Sequence, residues 1–153
     1  MESAGEERFR AVPLAVAEAR RLYPSVVVLE SLAIRQSPPF TAGTIAALRH
    51  ANARLAASAG DPGAAIMADD DFHTHLTADC GNDHLLAALR PIRRALLRYE
   101  RVYMRDPSRI ERSVDQHEAI VAALEAGDHA GAAQRLRENL AGGLPDLTHA
   151  LEA

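Results

Sequence analysis

The sequence has a single cysteine, no lysine and no long hydrophobic run, and two of these absences exclude a class of protein. One cysteine, Cys80, rules out an internal disulfide and is compatible with a reducing compartment. No 18-residue apolar run occurs, and the opening MESAGEERFR lacks the apolar core of a signal peptide, so we expect a soluble cytoplasmic protein. We attribute the use of arginine for all 17 basic residues to codon bias in a GC-rich genome.

The remaining composition is typical of one globular domain. The 153 residues are 48% hydrophobic and 25% charged, which is enough to form a hydrophobic core and is unlike a disordered chain. The net charge of −4 argues against a general nucleic-acid binder, because contacts to phosphates need an excess of cations.

Turn-forming segments divide the chain into pieces of helical length. Between them the apolar residues recur every three or four positions, as in 85–103. The only strand-like run, VVVLE (26–30), continues into SLAIR without a turn signal, so we assign it to a helix with Pro24 near its first turn. We predict an all-α fold, an antiparallel bundle of about six or seven helices, with a helical extension at 1–23 and the main domain at 24–153. The turn-forming segments are SPPFT (37–41), SAGDPG (58–63), DCGND (79–83), RDPS (105–108) and EAGDH (125–129).

Local signals also mark individual helix ends. Thr41 and Asp128 suit the N-cap position, and Gly127 suits the left-handed position after a helix. The stretch ALEAGDHAGAA therefore predicts a tight helix–turn–helix hairpin. We interpret it as an ordinary corner between two helices and not as a DNA-reading motif, because its second helix carries only Arg135 and Arg137 as cations.

Polar side chains interrupt the apolar faces of three predicted helices. Asp69 and His73, four residues apart in DDDFHTHL, share a face that should point into the core, and His117 and Asn139 interrupt apolar faces downstream. If these helices pack face to face, the four side chains meet in the core, as ligands do in di-metal carboxylate bundles. An Asp with two neutral imidazoles suits Zn²⁺, with Ni²⁺ or Mn²⁺ as alternatives. The alternative is an Asp69–His73 ion pair and a hydrogen-bonded core histidine, with no metal.

A series of motifs in a fixed order links the chain to a known family. They are the Leu-Glu of VLESLAIR, the D-x-x-F-H of DDDFHTHL, the Gly-Asn-x-x-Leu of DCGNDHLL, and the long segment QHEAIVAALEAGDHAGAAQRLRENL. Together they cover about residues 24–147. On these motifs the chain resembles the all-helical effector-binding domain of GntR-family transcription regulators, the FadR C-terminal (FCD) domain.

The resemblance implies a ligand set for the metal. In many members of that family an Asp and three His hold a divalent metal beneath the effector pocket, and Asp69, His73 and His117 match the first three positions. The fourth falls on Asn139, whose amide oxygen is a weak zinc ligand, so a lower affinity or a water in the shell is implied. The family's arginine that meets an effector carboxylate, four residues before the first-helix Glu, is Val26 here.

A row of arginines follows one predicted helix at spacings of three or four. We interpret it as a solvated helix face. If one arginine turns inward to replace the one missing at Val26, we expect Arg94 or Arg98, and we add Asn82 and Tyr99 to the predicted ligand-binding residues. The row consists of Arg90, Arg94, Arg98, Arg101 and Arg105.

These observations favour a sensing domain over an enzyme. Only about 23 residues precede Pro24, too few for the winged helix of GntR regulators, so we expect no direct nucleic-acid binding by this chain. We predict that a small carboxylate effector enters the core, touches the metal and shifts the helices of a homodimer that has no membrane contact. The alternative is a metal-dependent enzyme with an open coordination position and a base among Asp79, Asp83, His75 and His84.

Overall fold

The computed structural model describes residues 13–153, and within that range it contains six α-helices and no strand. The all-α prediction is confirmed. Turns separate the helices at every predicted turn-forming segment. The helices are α1 (Val16–Gln36), α2 (Ala42–Ala56), α3 (Pro62–Thr77), α4 (Asp83–Tyr103), α5 (Pro107–Glu125) and α6 (His129–Glu152).

The six helices close a ring around one hydrophobic core. Their packing order is α1, α6, α5, α2, α3, α4 and back to α1, with further contacts between α4 and α6 and between α1 and α3. The main core draws buried side chains from all six helices, among them Ile34, Leu48, Phe72, Leu96 and Ile120. Helices that are neighbours in this ring are not always consecutive in the sequence. Helices far apart in the sequence, such as α1 and α6, therefore pack against each other around the core.

Side-chain caps explain where most of the helices begin. The hydroxyl of Thr41 accepts a hydrogen bond from the backbone N–H of Thr44 (3.1 Å), and a carboxylate oxygen of Asp128 accepts one from Gly131 (2.8 Å). Gly127, with φ of 74°, ends α5 in the left-handed region. The predicted helix ends are confirmed here. Capping side chains also begin the other three helices after α1: Asp61, Asn82 and Asp106.

The first helix begins earlier than we expected. Pro24 is not near the first turn of α1 but in its interior, and the helix starts at Val16. Proline has no N–H to donate to the carbonyl of residue 20, so the helix continues through it with one backbone hydrogen bond fewer. Of the predicted extension at 1–23, residues 1–12 lie outside the described residues, and 16–23 belong to α1.

Two smaller observations complete the fold. Cys80 is buried in a second, small cluster between α1 and α4 that also contains Ala33, Leu85 and Leu89. None of the helices in residues 13–153 is both long and apolar enough to cross a lipid bilayer.

Candidate metal centre and ligand site

Three of the predicted metal ligands meet inside the bundle. Asp69 and His73 lie one turn apart on α3, and His117 faces them from α5; their ligand atoms all lie within 4.8 Å of one another. Nε2 of His73 is 3.8 Å from one carboxylate oxygen of Asp69, and Nε2 of His117 is 3.5 Å from the other. The three residues are only 4%, 2% and 0% exposed. The polar interruptions of the apolar faces therefore converge on one point.

A buried amide fixes the tautomer of His117. The side-chain nitrogen of Asn52 donates to the carbonyl of Val114 (3.0 Å), so its oxygen Oδ1 is directed at Nδ1 of His117, 3.1 Å away. An oxygen acceptor at this distance requires a proton on Nδ1, and the lone pair of neutral imidazole is then on Nε2. That Nε2 is buried and has no hydrogen-bond partner among residues 13–153. The ring also stacks on Phe72, with centroids 3.8 Å apart.

The buried carboxylate of Glu30 fixes the tautomer of His73, as Asn52 does for His117. Oε2 of Glu30, on α1, lies 2.7 Å from Nδ1 of His73, and neither side chain is more than 2% exposed. The carboxylate can only accept, so Nδ1 carries the proton and Nε2 faces Asp69. Histidine ligands of metals usually donate their second N–H to a carboxylate or carbonyl in this way.

The pKa values of the two imidazoles are shifted in opposite directions. Burial lowers the pKa of His117 well below its ordinary value, and the nearby cations His73 and Arg93 lower it further, so His117 is neutral. Burial opposes protonation of His73 too, but Glu30 and Asp69 outweigh it and raise the pKa of this imidazole. Burial raises the pKa of Asp69, against the opposing effect of His73 and Arg93. A metal bound here would therefore replace a proton held mainly by His73.

A small cavity, which we call the metal cavity, adjoins Asp69 and His73. Its volume is about 20 Å³, which is room for one water molecule or one ion. Asn139 lines it from α6, and its amide nitrogen donates to Gln116 (2.7 Å), which leaves the amide oxygen for the cavity. Glu100 lines it from α4, and burial raises the pKa of this carboxyl to about 7. The predicted fourth ligand thus lies at the same cavity as Asp69 and His73.

The donor set fits a divalent transition metal. It offers one carboxylate, two imidazoles with Nδ1 occupied elsewhere, and an amide oxygen beside a cavity of atomic size. The buried and unpartnered Nε2 of His117 is the observation that most needs an explanation, since an isolated buried acceptor costs free energy.

Comparison with known proteins assigns the family. The family model for the FCD domain matches residues 21–142. The chain belongs to the FCD-domain family. A crystal structure of a transcriptional regulator of the GntR family from Pseudomonas syringae pv. tomato str. DC3000 has the same fold, with a TM-score of 0.74 at 23% identity. The match covers 93% of this chain and 60% of that one. No curated protein matches the chain.

The family gives this chain its general role. An FCD domain is the effector-binding, regulatory part of a GntR-family regulator, and the six-helix bundle of residues 13–153 is a domain of that kind. Those residues contain no winged helix, the strand-containing unit that reads DNA in such regulators.

The arginine that turns into this FCD domain is Arg93 and not, as we expected, Arg94 or Arg98. Arg93 is 7% exposed and is held by Asp70 (3.0 Å) and Glu100 (3.4 Å), and its Nε lies 3.5 Å from Glu30. The reason is helical phase: Arg93 follows buried Leu89 by four residues, whereas its neighbour in sequence points outward. Arg94 and Arg98 are exposed, and Arg94 lines an open cleft between α3 and α4.

The other predicted ligand-binding residues have different contacts. Asn82 caps α4 by accepting from the N–H of Leu85 (3.0 Å) and donates to Gln36 (3.0 Å). The hydroxyl of Tyr99 donates to Glu18 and accepts from the N–H of residue 15 at the start of α1. Neither residue lines the metal cavity or the cleft. The same holds for the four bases considered for the enzyme alternative, Asp79, Asp83, His75 and His84.

Four buried polar residues of the site were missed in the sequence, although each carries the signal that identified Asp69. Glu30 lies between buried Val26 and Ala33 at spacings of four and three, and Asn52 lies between Leu48 and Leu55 at the same spacings. Arg93 and Glu100 interrupt the apolar face of α4 in the same way.

Proposed function

We propose that this FCD domain senses a small organic acid and holds a divalent metal, which we assign as zinc, at Asp69, His73 and His117. The observation that carries the proposal is the paired arrangement of the two imidazoles. Each Nδ1 is bonded to a buried partner, Glu30 or Asn52, and each Nε2 faces the same carboxylate. A bundle that needed these histidines only for packing would not leave Nε2 of His117 buried and unpartnered.

The chain's own residues have distinct tasks in this proposal. Glu30 and Asn52 orient the imidazoles, and Asn139 or a water completes the ligand set. The bound ion supplies positive charge that favours an anionic effector. The proposed ligands lie on α3 and α5, and the orienting residues lie on α1 and α2. A change at the metal site would therefore affect the packing of four helices. Effector binding that favours one packing of these helices would change the surface presented to a partner.

The proposal extends to metal identity, assembly and partners. Nickel or manganese would also suit the nitrogen and oxygen ligands. We expect the domain to act in the cytoplasm as a homodimer, and to pass the effector signal to a DNA-binding partner segment without contacting DNA itself.

Elemental analysis tests the metal. Protein purified without chelator should contain metal in a stoichiometric amount, and the double variant His73→Ala/His117→Ala should contain almost none. The matched control is His75→Ala/His84→Ala, which removes two exposed histidines and should keep the metal. Equal metal content in both variants would refute the site. Circular dichroism of the metal-free proteins establishes that all are helical.

A thermal-shift screen with organic acids tests the sensing function. Saturable stabilisation follows RT ln(1 + [L]/Kd), so a bound effector raises the melting temperature as its concentration increases. No stabilisation by any acid, in zinc-loaded and metal-free protein alike, would exclude an organic-acid effector.

A further inference from the structure

An open cleft lies between α3 and α4, separate from the metal cavity. Its volume is about 320 Å³, at the lower end of the range typical of pockets that bind small molecules. Arg90 and Arg94 line it from α4, and Thr74 and Thr77 line it from α3. We refer to it as the α3–α4 cleft.

The two arginines give the cleft an uncompensated positive charge. Arg90 and Arg94 are four residues apart, so they lie one turn from each other on the same face of α4. Within residues 13–153 neither forms a hydrogen bond or an ion pair. The two carboxylates in the cleft, Glu30 and Asp70, are already engaged by Arg93. Two guanidinium groups of this kind are suited to a carboxylate, which they can hold through two parallel hydrogen bonds.

The rest of the cleft wall is largely apolar. Leu86, Leu89 and Leu97 line it along α4, and Ala78 closes the end next to α3. Leu86 and Leu89, one turn apart, form a strip that ends beside the two arginines, and Leu97 lies one turn beyond them. An apolar chain laid along the strip would be removed from water, which favours binding in proportion to the area buried.

The α3–α4 cleft and the metal cavity meet at His73 but are distinct spaces. Glu30 and His73 line the rear of the cleft, and both side chains are buried and bonded to each other. The metal cavity has only about 20 Å³, too little for an organic acid with a carbon chain. His73 therefore lines both spaces, but only the α3–α4 cleft has the size of a small organic molecule.

We propose that the α3–α4 cleft binds a monocarboxylate with a short apolar chain, with its carboxylate held by Arg90 and Arg94 and its chain lying against Leu86 and Leu89. This proposal rests on the sensing function proposed above and specifies the chemical class of the effector and where it binds. Both parts of the ligand are needed: the arginines select the anion, and the leucines select the chain.

Calorimetric titration of hexanoate into the full chain, zinc-loaded and metal-free, tests the cleft. The variant Arg90→Gln/Arg94→Gln should weaken hexanoate binding at least tenfold, since it removes the charged donors. The matched control Arg101→Gln/Arg105→Gln makes the same change of charge at the same sequence spacing, at the end of α4 and in the turn that follows it, outside the cleft. It should leave the affinity within about twofold.

Two further ligands separate the contributions of charge and chain. Neutral 1-hexanol should bind at least tenfold more weakly than hexanoate because it lacks the charge, and acetate should do so because it lacks the chain. Equal binding of hexanoate and hexanol, or equal weakening by the two double-arginine variants, would overturn the proposal.

The outcomes also separate this proposal from the function on which it rests. If hexanoate binds the Arg90→Gln/Arg94→Gln variant as it binds the wild type, and His117→Ala abolishes binding, the acid binds at the metal and only the cleft proposal fails. If hexanoate does not bind but another acid in the screen stabilises the protein, the proposed ligand class is wrong and the sensing function stands. If no acid binds, the sensing function itself fails.

Discussion

The metal cavity and the α3–α4 cleft share His73 but differ in almost every other respect. The cavity has about 20 Å³ and is lined mainly by polar side chains, among them Asp69, His73 and Glu100. The cleft has about 320 Å³ and carries two exposed arginines with no partner in the described residues. The first space suits an ion and the second an organic anion. A single buried histidine thus lines two spaces of different size and charge.

The two histidines of the candidate metal site sharpen this comparison. His117 faces the neutral amide of Asn52, and burial lowers its pKa. His73 faces Glu30, and although burial opposes it, the carboxylates raise its pKa. The same residue type, in the same group of buried side chains, is therefore neutral in one case and has a raised pKa in the other, because of the group at Nδ1.

Glu30→Ala should have the largest effect on stability, because Glu30 serves both spaces. Its removal leaves Nδ1 of His73 without its carboxylate and Arg93 with two of its three partners, and both of these side chains are buried. Removing one member of a buried ion pair costs about 3–5 kcal/mol. Urea denaturation of the metal-free protein measures the loss.

The control for Glu30→Ala is an ion pair at the surface. Glu125 lies 2.6 Å from Arg49, and both side chains are more than 40% exposed. Glu125→Ala should cost less than about 1 kcal/mol, since solvent screens such pairs. Similar losses in the two variants would mean that the Glu30 network contributes little more than a surface contact.

Asn52→Leu should weaken zinc binding about 10–100-fold, the usual effect of losing an orienting partner of a metal ligand. Leucine has nearly the shape of asparagine but cannot accept from Nδ1 of His117, so the tautomer is no longer fixed. Competition with a chromogenic chelator measures the affinity. Leu55→Ala, one turn further along α2, is the control: it should cost about 2–5 kcal/mol of stability and leave zinc affinity nearly unchanged.

The fold could be predicted from the sequence because its signals are local. Cap residues, glycines and apolar periodicity each act within a few residues, and Thr41, Asp128 and Gly127 lie where they were expected. The start of α1 could not be predicted, because proline is tolerated in a helix interior when packing supplies the stability, and packing is not local.

The candidate site was predictable only where a polar residue broke an apolar face. That signal located Asp69, His73 and His117, and applied more widely it would have located Glu30 and Asn52. It could not locate the cleft. Arg90 and Arg94 are exposed and have the spacing of an ordinary solvated face, and only the gap between α3 and α4 distinguishes them from Arg101.

Zinc affinity should fall as the pH is lowered. Metal binding needs Nε2 of His73 without a proton, and the pKa of this imidazole is raised above its ordinary 6.5 in the metal-free fold. Below that raised pKa each bound ion displaces one proton, so apparent affinity should fall about tenfold per pH unit, and above it this dependence disappears. His117, with its lowered pKa, contributes nothing in that window. Glu30→Gln should move the onset of the dependence to lower pH, and an onset at the same pH would contradict the role of Glu30.

The smallest effect is expected at Asn82, and it distinguishes a helix cap from a ligand-binding residue. The side chain accepts from the N–H of Leu85 at the start of α4 and lines neither the cavity nor the cleft. Asn82→Ala should therefore cost about 1 kcal/mol in urea denaturation, whereas Asn82→Asp, which keeps an acceptor at the N-cap, should cost almost nothing. Zinc and hexanoate affinities should be unchanged in both variants. A loss of hexanoate binding in the Asp variant, whose stability is intact, would return Asn82 to the ligand-binding residues and extend the cleft towards the α3–α4 turn.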